Sequence, residues 1–295
     1  MTRGAEPAAL ITGARGQLGI ELQSTAPAGW RVLPYGSEDL DVTRPELLHA
    51  LLEKERPAVV FHAAAYTAVD AAEGEPQRAE AVNTRGAEHV ASAARRVAAR
   101  LIHLSTDFVF DGAQGHPYAP EDRPNALGVY GRTKLAGEEA VARVSEGAAL
   151  VVRTAWVYST HGRNFVLTML RLMRERDEVG VVSDQVGTPT WARSLAQALW
   201  AAAARPELRG IHHWTDAGVA SWYDFAVAIQ EEALALGLLD RAVPVRPLRT
   251  DEYPTRARRP HYSVLDTRAT RAALGLTAPH WRVNLRTMLR GLADA

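Results

Sequence analysis

Cysteine is absent from the 295 residues, which excludes disulfides, thiolate metal sites and a cysteine nucleophile together and fits a reducing compartment. Lysine is nearly absent, since only Lys54 and Lys134 stand among 34 basic residues and the rest are arginine. Charge of one sign is lacking too. The formal net charge is zero and no long block of like charge occurs, so the footprint of a nucleic-acid binder is missing. Although 47% of the residues are hydrophobic, no apolar run reaches membrane-spanning length, and Met1 to Pro7 has no apolar signal core. The chain therefore reads as cytoplasmic, without a nucleic-acid or membrane partner. Its length allows one large domain or two joined ones, and no internal repeat interrupts it.

Of what is present, the N-terminal half is the most regular. Ala8 to Thr12 is a short apolar run that ends in Gly13-Ala14-Arg15-Gly16-Gln17-Leu18-Gly19, and Ile20 to Thr25 continues as helix. Strand, glycine turn and helix in that order aim backbone N–H groups and a positive dipole end at a pyrophosphate. Trp30 to Pro34 reads as the second strand. No acidic residue follows it at the position that would hold a ribose 2′-hydroxyl, because Glu38 and Asp39 come late; this permits NADPH and leaves NADH open. Asp41-Val42 could close over the adenine, or Asp41 could be a turn or cap residue before Pro45.

Leu47 to Arg56 patterns as a helix and Ala58 to His62 as a third strand, running into Ala63-Ala64-Ala65-Tyr66-Thr67. Small side chains there admit a ligand close to the backbone, or serve close packing. Pro76 to Arg100 reads as one long helix containing Asn83. Leu101 to Leu104 is a fourth strand that delivers Ser105-Thr106-Asp107 at its carboxyl end, where doubly wound sheets bind ligands. Those hydroxyls could serve a substrate carbonyl or act as strand-end caps. Gly112 to Gly128 is a loop. The helix after it, Val129 to Arg143, carries Tyr130 and Lys134 four apart on one face, where an ammonium can favour ionisation of a phenol. A lysine kept in an arginine-writing chain suits a site that wants a flexible point charge. Ala149 to Arg153 is a fifth strand, and the alternation of strands and helices predicts an α/β fold with a parallel sheet.

Beyond it, helices are expected over Asn164 to Arg176, Ser194 to Ala204, Ser221 to Gly237, Thr267 to Leu274 and Arg282 to Leu292, with strands over Val179 to Ser183 and Ile211 to Trp214. His212 and His213 would point to opposite faces of their strand and share no metal. Trp222, Tyr223 and Phe225 are expected in a core more than in a stacking platform. Arg256, Arg258 and Arg259 crowd a proline-bounded loop, which is either solvated or suited to gripping a diphosphate.

Together the glycine turn, Ser105-Thr106-Asp107 and Tyr130-x-x-x-Lys134 resemble the extended short-chain dehydrogenase/reductases. More narrowly, Ala63 to Asp70, Ser105 to Gly112, Val129 to Glu138 and Arg153 to Tyr158 resemble the dTDP-4-dehydrorhamnose reductase family. The likeness continues through Asn164-Phe165, Asp184 to Thr190, Trp222-Tyr223 and Ala257 to Pro260, and so spans nearly the whole chain.

That resemblance implies a Rossmann-type doubly wound parallel sheet with a smaller, mixed α/β C-terminal substrate domain. Residues 1–155 would bind the dinucleotide, with 189–216 packing back onto them, and 156–188 with 217–295 would bind the sugar nucleotide. It implies NADPH-dependent reduction of the C4 keto group of dTDP-4-dehydro-β-L-rhamnose. Tyr130 would be the proton donor, Lys134 would hold the nicotinamide ribose and lower the tyrosine pKa, and Thr106 would orient the carbonyl. Asp107, Trp156 and Arg259 would contact substrate. Gly13, Gly16, Gln17, Leu18, Gly19, Asp41, Val42, Ala63, Ala64, Ala65 and Tyr66 would line the cofactor.

Two departures stand out. Phe108 replaces a tyrosine frequent in the family, which removes a hydroxyl without touching the catalytic trio. Glu21 matches one of the glutamates with which some members bind Mg2+ between subunits, but its counterpart is Arg193, so magnesium-mediated dimerisation is not expected and a monomer or homodimer is. Two other readings use the same scaffold. A sugar-nucleotide dehydratase or epimerase is disfavoured because Phe108 stands where dehydratases carry an acid. A non-catalytic subunit resembling the regulatory one of methionine adenosyltransferase is disfavoured by intact Thr106, Tyr130 and Lys134.

Overall fold

A strand buried on both faces must be apolar at every position rather than at alternate ones, and β1 (Ala8–Thr12), β3 (Val59–His62) and β5 (Leu150–Thr154) are buried throughout. In the computed structural model, which describes residues 6–294, they lie within a six-stranded parallel sheet. Met1 to Ala5, part of the N-terminal stretch read above, lie outside the described residues. The sheet order is β10-β5-β4-β3-β1-β2, with β2 at Arg31–Tyr35, β4 at Arg100–Thr106 and β10 at Gly210–His213. The outermost strands, β2 and β10, are the partly exposed ones. Because the chain leaves β1 for β2 on one side and for β3 on the other, a crevice opens between them at the strands' carboxyl ends.

Helices cover both faces. On one side α1 (Gln17–Ser24) and α8 (Ala192–Ala203) pack together, with Trp200 Nε1 donating to the Leu22 carbonyl at 2.9 Å. On the other lie α2 (Pro45–Glu55), α5 (Ala87–Arg96) and α6 (Val129–Val144). A separate apolar core surrounds Phe225, Ile229 and Leu285. It is built by α7 (Phe165–Glu175), α9 (Trp222–Ala235) and α11 (Trp281–Ala293) around the pair β7 (Val179–Val182) and β12 (Val245–Leu248).

Several expectations need correcting. The helix read over Pro76 to Arg100 is three pieces: α4 (Pro76–Glu80), a π-helical turn (Ala81–Gly86) and α5, which ends at Arg96 because the chain must reverse into β4. A short α3 (Val69–Ala72) and the two-residue strands β6 (Val157–Tyr158), β8 (Val186–Gly187), β9 (Thr190–Trp191) and β11 (Ala220–Ser221) are additional, being too short to show a period. Of the two terminal helices assigned to the smaller domain, α10 (Arg268–Leu274) instead adds Leu274 to the core of Leu199, Trp200 and Trp214 beside the parallel sheet. No helix among the described residues is long and apolar enough to cross a membrane.

Candidate active site

The glycine turn closes the crevice end of β1. Gly13 has φ +69°, a conformation glycine adopts without strain, and a Cβ there would sit 2.7 Å from the Ala64 amide nitrogen. At Gly19 a Cβ would lie 2.3 Å from the Gly13 carbonyl oxygen. Turn, alanine run and α1 are thus packed backbone to backbone, and only glycines fit. No side chain caps α1 at Gly16, so the N–H groups of its first turn remain for a ligand. This cradle fits a pyrophosphate.

The flanks are less uniform. Ala63, Ala64, Ala65 and Tyr66 are half-buried along the crevice. Tyr66 is pinned by Asn83, whose amide oxygen accepts from the Tyr66 N–H at 2.8 Å and whose amide nitrogen donates to its carbonyl. The π turn aims Asn83 this way, and sequence periodicity, which marks only one long helix, does not show it. Asp41 takes the turn role, its carboxylate accepting from the Thr43 N–H and hydroxyl. Val42 is buried in the core with Leu48 and Val90.

Arg15 is a residue the sequence reading passed over. It leaves the glycine turn and pairs with Glu38 and Asp39 beyond β2, beside the place where an adenosine ribose would lie. Gly36 leaves room for it, as a Cβ there would come within 2.9 Å of the Arg15 side chain.

Across the crevice, the end of β4 and the start of α6 bring Thr106, Asp107, Tyr130 and Lys134 together. Thr106 acts as a cap, its oxygen accepting from the Phe108 N–H at 3.2 Å, and its hydroxyl also donates to Asp107 at 3.1 Å. Burial pushes the half-buried Tyr130 phenol up to about 12; the Thr106 hydroxyl beside it works the other way, and Asp107 adds to the rise. Asp107 is itself raised to about 6 by burial, against the hydroxyls of Ser263 and Thr106. Lys134 is buried, and its Nζ donates to the Leu104 carbonyl at 2.5 Å. Burial pulls it down to about 8, and Glu138 opposes that. In this structure the phenol answers to burial first, and Lys134 is not among the groups acting on it; the ammonium donates to the Leu104 carbonyl.

Phe108 packs edge-to-face on Tyr130 with centroids 5.6 Å apart, a contact that a tyrosine ring in its place would make equally. Gly131 permits the approach, since a Cβ there would strike the Phe108 carbonyl oxygen at 2.2 Å.

Trp156 has φ +47°, uncommon for a bulky residue. Its ring stacks on Trp222 at 3.5 Å and 5°, and a Cβ on Gly187 would lie 2.6 Å from it. Trp222 is partly buried and packs with Trp156 against the core that holds the fully buried Phe225, as expected for these two of the aromatic trio. The strained conformation is held from both sides, which marks a position built for purpose. Arg259 donates from Nη2 and Nη1 to the two carboxylate oxygens of Asp70, at 2.6 and 3.2 Å, so its fork is already engaged, while Arg256 and Arg258 are exposed.

Glu21 is buried, accepts from Ser159 and Ser24, and faces Arg193 at 3.8 Å. Its carboxylate already sees a cation. Among the described residues no group of three or more His, Asp or Glu is placed to hold a metal ion. His213 is buried against the Tyr118 carbonyl and His212 reaches Thr270 on the other face.

Residues 8–293 match the family model described as the RmlD substrate binding domain. The chain is 42% identical over 293 residues to a dTDP-4-dehydrorhamnose reductase of Burkholderia thailandensis, covering 96% of this chain and 98% of that protein. It is 40% identical over 291 residues to the enzyme so named in Escherichia coli, covering 96% and 97%. A crystal structure of dTDP-4-dehydrorhamnose reductase from Bacillus anthracis in complex with NADP superposes with a TM-score of 0.91 at 35% identity, over 96% of this chain and 99% of that one.

Proposed function

The chain belongs to the dTDP-4-dehydrorhamnose reductase family, and from that membership we propose that it reduces the C4 keto group of dTDP-4-dehydro-β-L-rhamnose to give dTDP-β-L-rhamnose, the last step of dTDP-rhamnose synthesis. The observation that carries the reading is the meeting of Thr106, Tyr130 and Lys134 at the carboxyl edge of the sheet, across from a glycine cradle that only a backbone-hugging ligand can use.

NADPH, when bound, supplies the hydride that goes to the sugar C4. The chain supplies the rest. Tyr130 gives its phenolic proton to the carbonyl oxygen as that oxygen gains charge, and its high pKa keeps the proton in place until then. Thr106, hydrogen-bonded into the turn after β4, holds the carbonyl toward the phenol. Lys134 serves the nicotinamide ribose and offers positive charge to the developing phenolate. Gly13, Gly16, Gln17, Leu18 and Gly19 receive the pyrophosphate, and Ala63 to Tyr66 line the nicotinamide side. Arg15 favours NADPH over NADH, because a 2′-phosphate competes for its guanidinium better than carboxylates exposed to solvent. Asp107, Trp156 and Arg259 are assigned to the sugar nucleotide.

A division into a nucleotide unit (1–155 with 189–216) and a substrate unit (156–188 with 217–295) is supported by the separate core around Phe225, with α10 as the exception. Every group named comes from one chain, so a monomer or a homodimer satisfies the reading. A cytoplasmic setting fits the absence of cysteine.

Loss of reduced-nicotinamide absorbance on mixing the protein with NADPH and dTDP-4-dehydro-L-rhamnose tests the proposal. Tyr130→Phe is expected to lower kcat by roughly 10²–10⁴-fold, the usual worth of a general acid. An inert wild type, or a fully active Tyr130→Phe, would overturn it.

A further inference from the structure

Beneath α6 the sheet presents a layer of polar side chains that the reaction above leaves unused. Arg153 on β5 and Glu138 on α6 form a pair whose side chains are 1% and 4% exposed. The contact is bidentate, with Nε to Oε1 at 2.9 Å and Nη2 to Oε2 at 2.7 Å. Glu138 stands one turn after Lys134 on the same helix face. The layer therefore holds two buried cations and one anion.

The two histidines facing Lys134 offer it no charge. His103 on β4 and His62 on β3 lie with ring centroids 5.0 Å apart and planes tilted by 33°. Burial first and Lys134 second hold both imidazoles neutral, His62 at about 3. From the π turn, Asn83 is engaged with Tyr66 and Thr133. Tyr130 keeps its proton, Asp107 lies at the turn after β4 beside Thr106, and Glu88 and Arg143 pair with each other on the exposed side of α6. The hydrogen bond that Lys134 makes is to one neutral carbonyl. A buried ammonium held by a single dipole tends to shed its proton.

We propose that Glu138, clamped in place by Arg153, is the positioning residue that keeps Lys134 an ammonium. The inference rests on the reading that Lys134 serves the cofactor. Arg153 fixes both carboxylate oxygens, so Glu138 cannot swing away. The direction agrees with the charges acting on Lys134, where Glu138 is the one opposing burial.

The chain has only two lysines, and Lys54 is exposed, so lysine-selective ¹⁵N labelling of the protein alone reads each titration separately. In wild type the Lys134 midpoint is expected near 8. Glu138→Gln should lower it by about one pH unit or more, leave Lys54 unmoved, and raise the KM for NADPH at neutral pH with recovery in acid. The double variant Glu138→Met/Arg153→Met replaces the pair by apolar side chains, a change that buried pairs commonly tolerate. Because it also removes the Arg153 cation, it should give a smaller downward shift than Glu138→Gln, whereas a merely structural role predicts a return to the wild-type midpoint. An unmoved Lys134 midpoint in a folded variant, or a wild-type Lys134 already neutral at neutral pH, overturns the proposal. Failure of wild type to oxidise NADPH would sink the reductase reading instead, and leaves the titration readable.

Discussion

At the scale of single residues, charge placement decides more than shape. Arg15 projects from a turn whose other members are small, and it spends its guanidinium on Glu38 and Asp39, both solvent-facing. Exposed pairs of this kind contribute little to stability, so the residue is free to serve a ligand. Arg15→Ala is expected to raise the KM for NADPH about tenfold, the scale of one charge-assisted hydrogen bond, and to leave the KM for NADH nearly unchanged. Steady-state rates with both coenzymes check it. Equal losses would mean that Arg15 shapes the turn and does not select the phosphate.

Elements set the angles at which those residues meet. Helix α6 begins at an uncapped glycine, Gly128, and an orphan N–H of its first turn is taken by a residue from elsewhere: Val129 donates to Glu73 at 2.7 Å. Glu73 follows α3, so this cap ties α6 to the segment that follows the alanine run. Further along, Gly137 lets the helix press on the π turn, where a Cβ would meet the Asn83 carbonyl oxygen at 2.2 Å. Removing the cap in Glu73→Ala should cost about 1 kcal/mol, read as a fall of roughly 2–4 °C in Tm, with a lower kcat because Tyr130 sits in that first turn. An unchanged Tm would show that water replaces the carboxylate without loss.

Across the whole molecule, several contacts join the two apolar cores' territories, among them Asn164 to Gln17 and Arg259 to Asp70. Asp70, in α3, receives the Arg259 fork and the Ala257 N–H, and the fork holds its carboxyl below the usual range. If substrate diphosphate draws on Arg259, it must share that guanidinium with Asp70. Asp70→Asn is then expected to change the KM for the sugar nucleotide several-fold, on the order of one polar contact, with the NADPH KM held. Initial-rate measurements varying each substrate separate the two, and a change confined to NADPH would remove Arg259 from the substrate.

Much of this was legible in the chain. The glycine turn, the Thr106 strand end and the Tyr130-Lys134 spacing are local signals, each written within a few residues, and the parallel sheet follows from strands and helices in alternation. Phe108 could be read as a lost hydroxyl but not as a packing partner of Tyr130, because that partner lies in the next element. Trp156 gave no sign of its left-handed backbone, which is held by Trp222 from 66 positions later.

The sequence by itself determined which chemical groups exist and in what order: a nucleotide cradle, a hydroxyl, a phenol, an ammonium and no thiol. Only the tertiary structure decided their surroundings. The clamp of Glu138 by Arg153, the turn of Asn83 toward Tyr66, and the capture of Arg259 by Asp70 all join residues from different elements. The reason is physical: helix and strand periods are set by backbone geometry over a few residues, whereas burial and counter-charge are fixed only when distant elements close the space between them.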